Sequence, residues 1–341
     1  MPVISADPLD RILSLSSAEF VAPGVEAAAE RERAEENLTF ALEAALSPEK
    51  PKILAEGDSW FAYPRQYFIY GAPANVIQHL RKHNEFVIQN TSSSGDEAVA
   101  MMSGAAKIDM LERLQTTDYA LLLFSGGGND IVGAFDMDFF LLKKTAGMKA
   151  LDCIDKTRYM RRLNQVANAY DDLMDLVRDF SRNPDLQVVT HTYDYVIPGK
   201  KGASFFGGIY KYDDGRSWMY PFLMAKGIVE AADQREIARW MLDGFREMLT
   251  KTAEKHDGRL HVVNTQGTLV ESDWLNEIHP TPDGFGKIAA KIYREIQELL
   301  QVQPNMATSE AIMPSAKPKA RKKTEKKGKS SKPSRSSRTK S

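Results

Sequence analysis

The segment Lys52-Ile-Leu-Ala-Glu-Gly-Asp-Ser-Trp60 decides the fold expected for this chain. Its first half is a short apolar run next to polar residues, which is typical of a buried β-strand. Gly57 then permits a sharp turn off the strand, and Ser59 follows two residues later. The segment therefore predicts a strand over residues 52–56, with a serine hydroxyl just beyond its carboxyl end.

The same kind of apolar run recurs along the chain and alternates with helical segments. Further strands are predicted at 86–90, 119–124, 187–191 and 260–264, and helices at 74–82, 97–114, 159–180, 232–255 and 286–300. Residues 133–156 match neither pattern. Alternating β and α units imply a parallel sheet with helices on both faces. We therefore expect a three-layer α/β/α domain around a flavodoxin-like, five-stranded parallel sheet, with reacting groups at the carboxyl ends of its strands.

Composition divides the chain into three parts. Residues 1–50 are predicted to form a loose arm followed by a helix over 24–46, and residues 51–302 to form the α/β domain. Within that domain, residues 195–227 are rich in glycine and aromatic side chains. They are either a mobile lid over the sheet edge or a surface loop packed on the body. Residues 303–341 are dominated by Pro, Ser, Lys and Arg, which predicts a disordered tail.

The charge is distributed unevenly, although the net charge is only −1. Residues 314–341 contain nine Lys and three Arg against one Glu, so this tail carries +11 and the rest of the chain −12. Such a tail is either a solvated end or a non-specific contact to nucleic acid or an anionic surface. No apolar run reaches the length of a membrane span and the start of the chain lacks a secretory pattern, so a cytoplasmic protein is expected.

Three further segments place polar groups near predicted strand ends. The second strand leads into Thr-Ser-Ser-Ser-Gly95, the third into Ser-Gly-Gly-Gly-Asn129, and Asn276-Glu-Ile-His279-Pro280 precedes the last helix. Each segment alone also fits an ordinary turn. Together with the first strand they supply a hydroxyl, a backbone donor, an amide donor and an imidazole. That is the set of groups that acyl transfer to a serine requires.

Other chemistries fit the sequence less well. The glycine run after the third strand lacks the Lys-Ser/Thr of a phosphate-binding loop and the glycine spacing of a dinucleotide-binding loop. His79 and His83 share a helix face without acidic partners, so neither a metal site nor a cofactor is predicted. Cys153 has acidic neighbours that do not lower a thiol pKa, which indicates a structural role. His191, at the end of the fourth strand, competes with His279 for the role of general base.

The four segments resemble, in the same order, the sequence blocks of the GDSL esterases and lipases, also called SGNH hydrolases. The resemblance covers roughly residues 51–300. It implies that Ser59 is the nucleophile and, through its own N–H, the first oxyanion donor. It also implies that the Gly95 N–H and the Asn129 side chain are the second and third donors, and that His279 is the general base.

One position departs from the family pattern. The family usually has an aspartate three residues before the histidine, and this chain has Asn276 there. An asparagine can accept a hydrogen bond from the imidazole but cannot stabilise imidazolium by charge. In a Ser-His-Asp triad of another fold, the change from Asp to Asn costs about 10⁴ in rate. We expect Asn276 to orient His279, with Asp273 as the alternate and Glu277 as a further nearby carboxylate.

The sequence thus predicts a serine hydrolase that cleaves a carboxylic ester through an acyl-serine intermediate. Two alternatives stay open. One is a catalytically impaired relative that binds an acylated ligand, which Asn276 motivates. The other is a nucleic-acid-associated protein whose tail is the main functional element. Short-chain esters, acetylated sugars, lysophospholipids and thioesters all remain candidate substrates.

Overall fold

Seven β-strands lie in the described part of the chain. They are β1 (Lys52–Gly57), β2 (Val87–Asn90), β3 (Leu121–Ser125), β4 (Gln187–His191), β5 (Ser204–Phe205), β6 (Tyr210–Lys211) and β7 (Leu260–Val263). Five of them form one sheet in the order β2-β1-β3-β4-β7, and every neighbouring pair is parallel. The predicted three-layer class with a flavodoxin-like strand order is therefore confirmed. The antiparallel pair β5–β6 is separate from this sheet and was not predicted.

The coordinates are a computed structural model that describes residues 23–63, 74–200, 204–205, 210–211 and 217–301. The chain divides into two units, Met1–Asn305 and Met306–Ser341, and all described residues belong to the first. The predicted arm, the basic tail and a large part of segment 195–227 lie outside the described residues. Within the described ranges, no helix has both the length and the apolar content that crossing a bilayer requires.

The helices of the described residues surround this sheet. They are α1 (Pro23–Leu46), α2 (Ser59–Ala62), α3 (Val76–Arg81), α4 (Ala98–Met101), α5 (Gly104–Thr116), α6 (Gly128–Val132), α7 (Ala134–Phe140), α8 (Lys156–Phe180), α9 (Tyr220–Ala225), α10 (Ala231–Ala253) and α11 (Pro282–Leu300). Helix α11 packs against α3 and against β4 and β7, whereas α8 packs against α10. The predicted helix over 24–46 corresponds to α1.

The burial pattern explains why these segments fold as they do. All five residues of β3 are buried, as expected for a central strand that is covered on both faces. Helix α11 buries Phe285, Ile288, Ile292 and Ile296, which recur at helical spacing on one face. The central strands and the inward helix faces thus form one continuous core.

Three expectations about the helices were wrong. The helix predicted over 97–114 is divided into α4 and α5, and the backbone turns at Gly104, whose φ is +52°. Residues 133–156 contain α7 and a 3₁₀ turn at Ala150–Cys153 instead of an irregular loop. Helix α11 starts at Pro282, four residues before the predicted start, because the Thr281 hydroxyl accepts the Gly284 N–H and caps the first turn.

Candidate active site

Ser59 begins the short helix α2, directly after the turn that ends β1. The Asp58 carboxylate caps this helix by accepting the Trp60 N–H at 2.9 Å. The turn requires Gly57 because β1 and β3 approach closely, and a Cβ at this position would lie 2.6 Å from the Ser125 carbonyl oxygen. The sequence Gly-Asp-Ser therefore fixes a serine at the carboxyl edge of the sheet.

The Ser59 hydroxyl contacts the imidazole of His279. The distance from Ser59 Oγ to His279 Nε2 is 2.7 Å, and both side chains are buried. His279 lies in the loop between β7 and α11, and this loop closes on itself. The Leu275 N–H donates to the His279 carbonyl at 2.9 Å, and the Thr281 N–H donates to the Asp273 carbonyl at 2.7 Å. These bonds hold the imidazole against the hydroxyl.

Asn276 contacts the other ring nitrogen of His279. Its Oδ1 lies 3.1 Å from Nδ1, and it also accepts the backbone N–H groups of His279 at 2.9 Å and Ile278 at 3.2 Å. The amide nitrogen donates to the Tyr63 hydroxyl at 3.4 Å. A carbonyl oxygen can only accept, so Nδ1 carries the ring proton, and Nε2 presents its lone pair to Ser59.

The imidazole of His279 is held in its neutral form. Burial lowers the pKa of His279 to about 3. The amide of Asn276 carries no charge, so it does not offset this effect as a carboxylate at the same place would. A neutral imidazole is the form that can accept a proton from a hydroxyl.

The two neighbouring carboxylates have other partners. Both oxygens of Asp273 lie 2.7 Å from Lys287 Nζ, and one of them accepts the Val270 N–H at 2.8 Å. Burial raises the pKa of Asp273, but the hydrogen bonds from Lys287 and Val270 outweigh it, and the net pKa lies below its usual value. The Glu277 carboxylate accepts backbone N–H groups. Of the three residues considered for this role, Asn276 is the one whose side chain bonds to Nδ1.

Gly95 lies in the loop after β2, and Asn129 lies in the first turn of α6, just after the carboxyl end of β3. The Asn129 amide donates to the carbonyl of Asp96, the residue after Gly95, at 2.8 Å. The Ser93 N–H donates to the Gly57 carbonyl at 2.9 Å, which joins this loop to the turn before the serine. Gly95 has a φ of +95°, a region that favours glycine.

The N–H groups of Ser59 and Gly95 are two further backbone donors at this edge. Among the described residues, no acceptor is bonded to the N–H of Ser59 or to the N–H of Gly95. The Asn129 amide has two N–H groups, and its bond to the Asp96 carbonyl uses one of them. Three N–H groups at this edge thus have no acceptor among the described residues.

Arg162 of α8 connects the end of the loop that carries Gly95 with helix α6, which carries Asn129. Its Nε donates to the Asp130 carbonyl at 3.0 Å, and its Nη2 contacts the Glu97 carboxylate at 2.9 Å. The Asp130 carboxylate in turn accepts the Ala98 N–H at 2.7 Å. Burial, followed by the nearby Glu97, raises the pKa of Asp130 to about 6 although Arg162 opposes the shift. This arrangement fixes α6, and with it Asn129, against the start of α4.

His191 belongs to a buried network behind the serine. Its Nε2 lies 2.9 Å from Ser125 Oγ, and its Nδ1 accepts the Tyr193 N–H at 3.2 Å. Ser125 Oγ and the Tyr193 hydroxyl donate to the two oxygens of Asp58 at 2.9 and 2.6 Å. Burial lowers the pKa of His191 to about 3 and raises that of Asp58 to about 7. Both nitrogens of His191 are thus engaged in this network, whereas His279 contacts Ser59.

Comparisons with known proteins identify structural likenesses only. No family model and no curated protein matches the sequence. The chain is similar to a lipase from a goat rumen metagenome, at 14% identity and a TM-score of 0.46, over 72% of this chain and 97% of that one. It is also similar to an extracellular lipase from Streptomyces rimosus, at 15% identity and a TM-score of 0.41, over 72% and 99%. A third similar protein, from Slackia heliotrinireducens, is assigned to the SGNH hydrolases and has 10% identity and a TM-score of 0.40, over 72% and 99%.

The third protein is described as a member of the SGNH hydrolases, the family whose sequence blocks the four motifs resemble. At these identities and TM-scores the likeness says nothing about activity, so the functional conclusion rests on the geometry of the site. In the described ranges, no group of three or more His, Cys, Asp or Glu side chains is arranged to hold a metal ion.

Sequence reasoning missed several residues of this site. The ring centroids of Tyr63 and Trp218 lie 4.5 and 5.1 Å from that of His279. Trp218 belongs to the aromatic segment 195–227 that was predicted as a lid or a packed loop, whereas nothing in the sequence marks Tyr63. Arg162 lies in the second turn of the long helix α8, where a charged residue is usually a solvated one. Asp58 was within reach of sequence reasoning, because an aspartate just before a helix is a common N-cap.

Proposed function

We propose that the protein is a serine hydrolase that cleaves a carboxylic ester through an acyl-serine intermediate. The observation that carries the proposal is the 2.7 Å contact between Ser59 Oγ and His279 Nε2, with Asn276 Oδ1 at the other ring nitrogen. A serine hydroxyl is a weak nucleophile unless an adjacent base removes its proton, and a third group must orient that base. These three residues supply the hydroxyl, the base and the orienting group.

The first half-reaction transfers the acyl group to Ser59. Its Oγ attacks the ester carbonyl while the hydroxyl proton passes to His279 Nε2. The carbonyl oxygen becomes negatively charged and receives hydrogen bonds from the Ser59 N–H, the Gly95 N–H and the Asn129 amide. Nε2 then gives its proton to the leaving alcohol, and the acyl group stays on Ser59.

The second half-reaction releases the acid. A water molecule gives a proton to His279 Nε2 and attacks the acyl carbonyl, and the same three donors receive the oxyanion. When the bond to Oγ breaks, Nε2 returns the proton to Ser59. Asn276 keeps the ring orientation throughout, but it leaves the transient imidazolium without a charged partner.

The alternative of an impaired protein that only binds an acylated ligand rests on Asn276. Ligand binding alone does not require a base in contact with a serine hydroxyl, so the Ser59–His279 contact favours the hydrolase.

Within this proposal residues 51–302 form the hydrolase domain, residues 1–50 an arm and helix, and residues 303–341 a basic tail. Filter binding of nucleic acid at low and moderate salt tests a contact through the tail.

Labelling with a fluorophosphonate and hydrolysis of 4-nitrophenyl acetate test the proposed activity. The wild-type protein should be labelled and active, whereas Ser59→Ala should lose the label and at least about 10³ of the rate. Ser103→Ala is a matched control, because Ser103 is exposed and its hydroxyl bonds only to the Ala100 carbonyl among the described residues. Persistent labelling of Ser59→Ala, or a wild type that is neither labelled nor active, would contradict the proposal.

A further inference from the structure

Glu277 is a buried carboxylate that follows the orienting asparagine in sequence but has a different set of partners. Its two oxygens accept backbone N–H groups from Gly199 at 3.3 Å, Met219 at 2.8 Å, Tyr220 at 2.8 Å and also Trp218. Three of these donors are consecutive residues at the start of α9. One side chain of the His279 loop thus binds the backbone of a segment nearly sixty residues away.

This arrangement carries an energetic cost that the hydrogen bonds offset. A buried carboxylate is unfavourable unless donors replace its lost water, and backbone N–H groups at a helix start also need acceptors. Burial raises the pKa of Glu277 to about 7, while the four backbone hydrogen bonds act in the opposite direction. The Ile197 N–H adds a bond to the Glu277 carbonyl at 3.3 Å. The backbone of residues 218–220 is therefore hydrogen-bonded to one side chain of the His279 loop.

Trp218 is the residue of this segment that reaches the site. Its ring lies 5.1 Å from the His279 ring in a T-shaped arrangement, and its side chain is partly exposed. In the acylation step, His279 Nε2 gives its proton to the oxygen of the leaving alcohol. A side chain beside this imidazole can therefore contact the alcohol part of an ester.

We propose that Glu277 is a positioning residue that holds Trp218 as a fixed wall beside His279, so that the protein selects esters whose alcohol part contains a ring. The inference rests on the proposed ester hydrolysis. Aromatic side chains offer a large, rigid apolar face, which suits a flat aryl group or the face of a sugar ring better than a short alkyl chain. The acyl side of the ester is not subject to this selection.

Steady-state kinetics with three esters test the selection. Phenyl acetate and ethyl acetate differ only in the alcohol, and phenyl acetate and phenyl butyrate differ only in the acyl chain. Glu277→Gln and Trp218→Ala should each raise KM for phenyl acetate about tenfold and change KM for ethyl acetate less than about twofold. The ratio of the KM values for the two phenyl esters should stay unchanged. The double variant should be no worse than either single variant, because Glu277 acts through Trp218.

Hydrogen exchange provides a readout that needs no activity. The N–H groups of Trp218, Met219 and Tyr220 should exchange at least tenfold faster in Glu277→Gln, because a side-chain amide cannot accept four hydrogen bonds as a carboxylate does. Circular dichroism should show that this variant keeps its fold. Unchanged protection of the three N–H groups would overturn the structural part of the inference.

Asp194 offers a matched control for the loss of a buried carboxylate. It accepts the N–H groups of Tyr195, Gly267 and Leu269, each at 2.6 Å, and it bonds to none of the donors that Glu277 holds. Asp194→Asn should lower Tm without changing the ratio of the KM values for phenyl and ethyl acetate. The same change of ratio in this control, or additive effects in the Glu277–Trp218 double variant, would overturn the selection. A wild type that hydrolyses none of the esters and is not labelled by a fluorophosphonate would instead overturn the proposed function. Hydrogen exchange would then still test whether Glu277 holds the backbone of residues 218–220.

Discussion

Replacing Asn276 by aspartate should give His279 the charged partner that it lacks. The two side chains have nearly the same shape, and an aspartate oxygen can still accept the N–H groups of His279 and Ile278. The second oxygen can accept the Tyr63 hydroxyl, which now receives the Asn276 amide. We therefore expect the loop geometry to persist, so that the variant changes charge more than position.

The size of the effect follows from the short distance between the groups. Asn276 Oδ1 lies 3.1 Å from His279 Nδ1, and two unit charges about 4 Å apart interact by about 4 kcal/mol at an effective dielectric constant near 20. This energy corresponds to about three pH units, which moves the pKa of His279 from about 3 back towards its ordinary value of 6.5. The same attraction stabilises the imidazolium of the transition state. Desolvation of the new carboxylate reduces the gain, so kcat should rise roughly 10- to 100-fold.

The assay is the ratio of kcat/KM between Asn276→Asp and wild type from pH 5 to pH 9. A ratio removes the titration of groups that both proteins share, such as Asp58, whose pKa is raised to about 7. The ratio should be high at pH 8. It should fall as the pH is lowered, because His279 of the variant becomes protonated and can no longer accept the Ser59 proton. Asn276→Ala should be slower than wild type at every pH, because it removes the orienting oxygen. A ratio near one that does not change with pH would refute the reasoning.

Three other predictions concern the surroundings of the site. Arg162→Met should lower kcat by about tenfold or more at nearly constant KM in steady-state assays, because it loosens helix α6, which carries the proposed oxyanion donor Asn129; unchanged kcat would show that the contacts of Arg162 do not determine the position of Asn129. Gly57→Ala should cost about 1–3 kcal/mol in urea denaturation, since its Cβ would lie 2.6 Å from the Ser125 carbonyl oxygen. The free energy of unfolding should rise as pH falls from 8.5 to 6.5, because carboxyls with raised pKa bind protons in the folded chain before they do in the unfolded one. Denaturation at several pH values measures this trend, and a fall in stability over that window would contradict it. The carboxyls with a pKa raised to about 7 are Glu56, Asp58, Asp136 and Glu277.

The sheet was predictable because its strands are short apolar runs between turn residues. β4 has the predicted limits, and β1 extends one residue further than predicted, as far as Gly57. The break between α4 and α5 was missed because the helical periodicity continues through it. The local sign of that break is Ser103-Gly104, an N-cap serine followed by a glycine with positive φ. Residues 133–156 were misjudged because their short helices depend on contacts with distant parts of the chain.

The candidate site was predictable where topology determines position. Ser59 and His279 are 220 residues apart, and they meet because a parallel sheet brings strand ends to one edge. Trp218 was not predictable in the same way, because its position depends on hydrogen bonds from its backbone to a distant glutamate. The sequence contains that glutamate, but nothing in its spacing indicates that its partners are backbone N–H groups.

Asn276 and Glu277 are adjacent in the sequence but have different partners. Asn276 contacts the His279 ring, and Glu277 binds the backbone of the segment around Trp218. Both side chains are buried, and the carboxylate at 277 is already engaged by backbone donors. A second carboxylate at 276 would lie in the same loop, and two like charges in a buried site raise each other's pKa and disfavour ionisation. The gain in charge stabilisation for His279 would thus be reduced by repulsion from Glu277, which favours the lower end of the expected rise in kcat. An amide at 276 orients the imidazole without this repulsion, so the departure from aspartate is compatible with an active site that also uses Glu277 to hold Trp218.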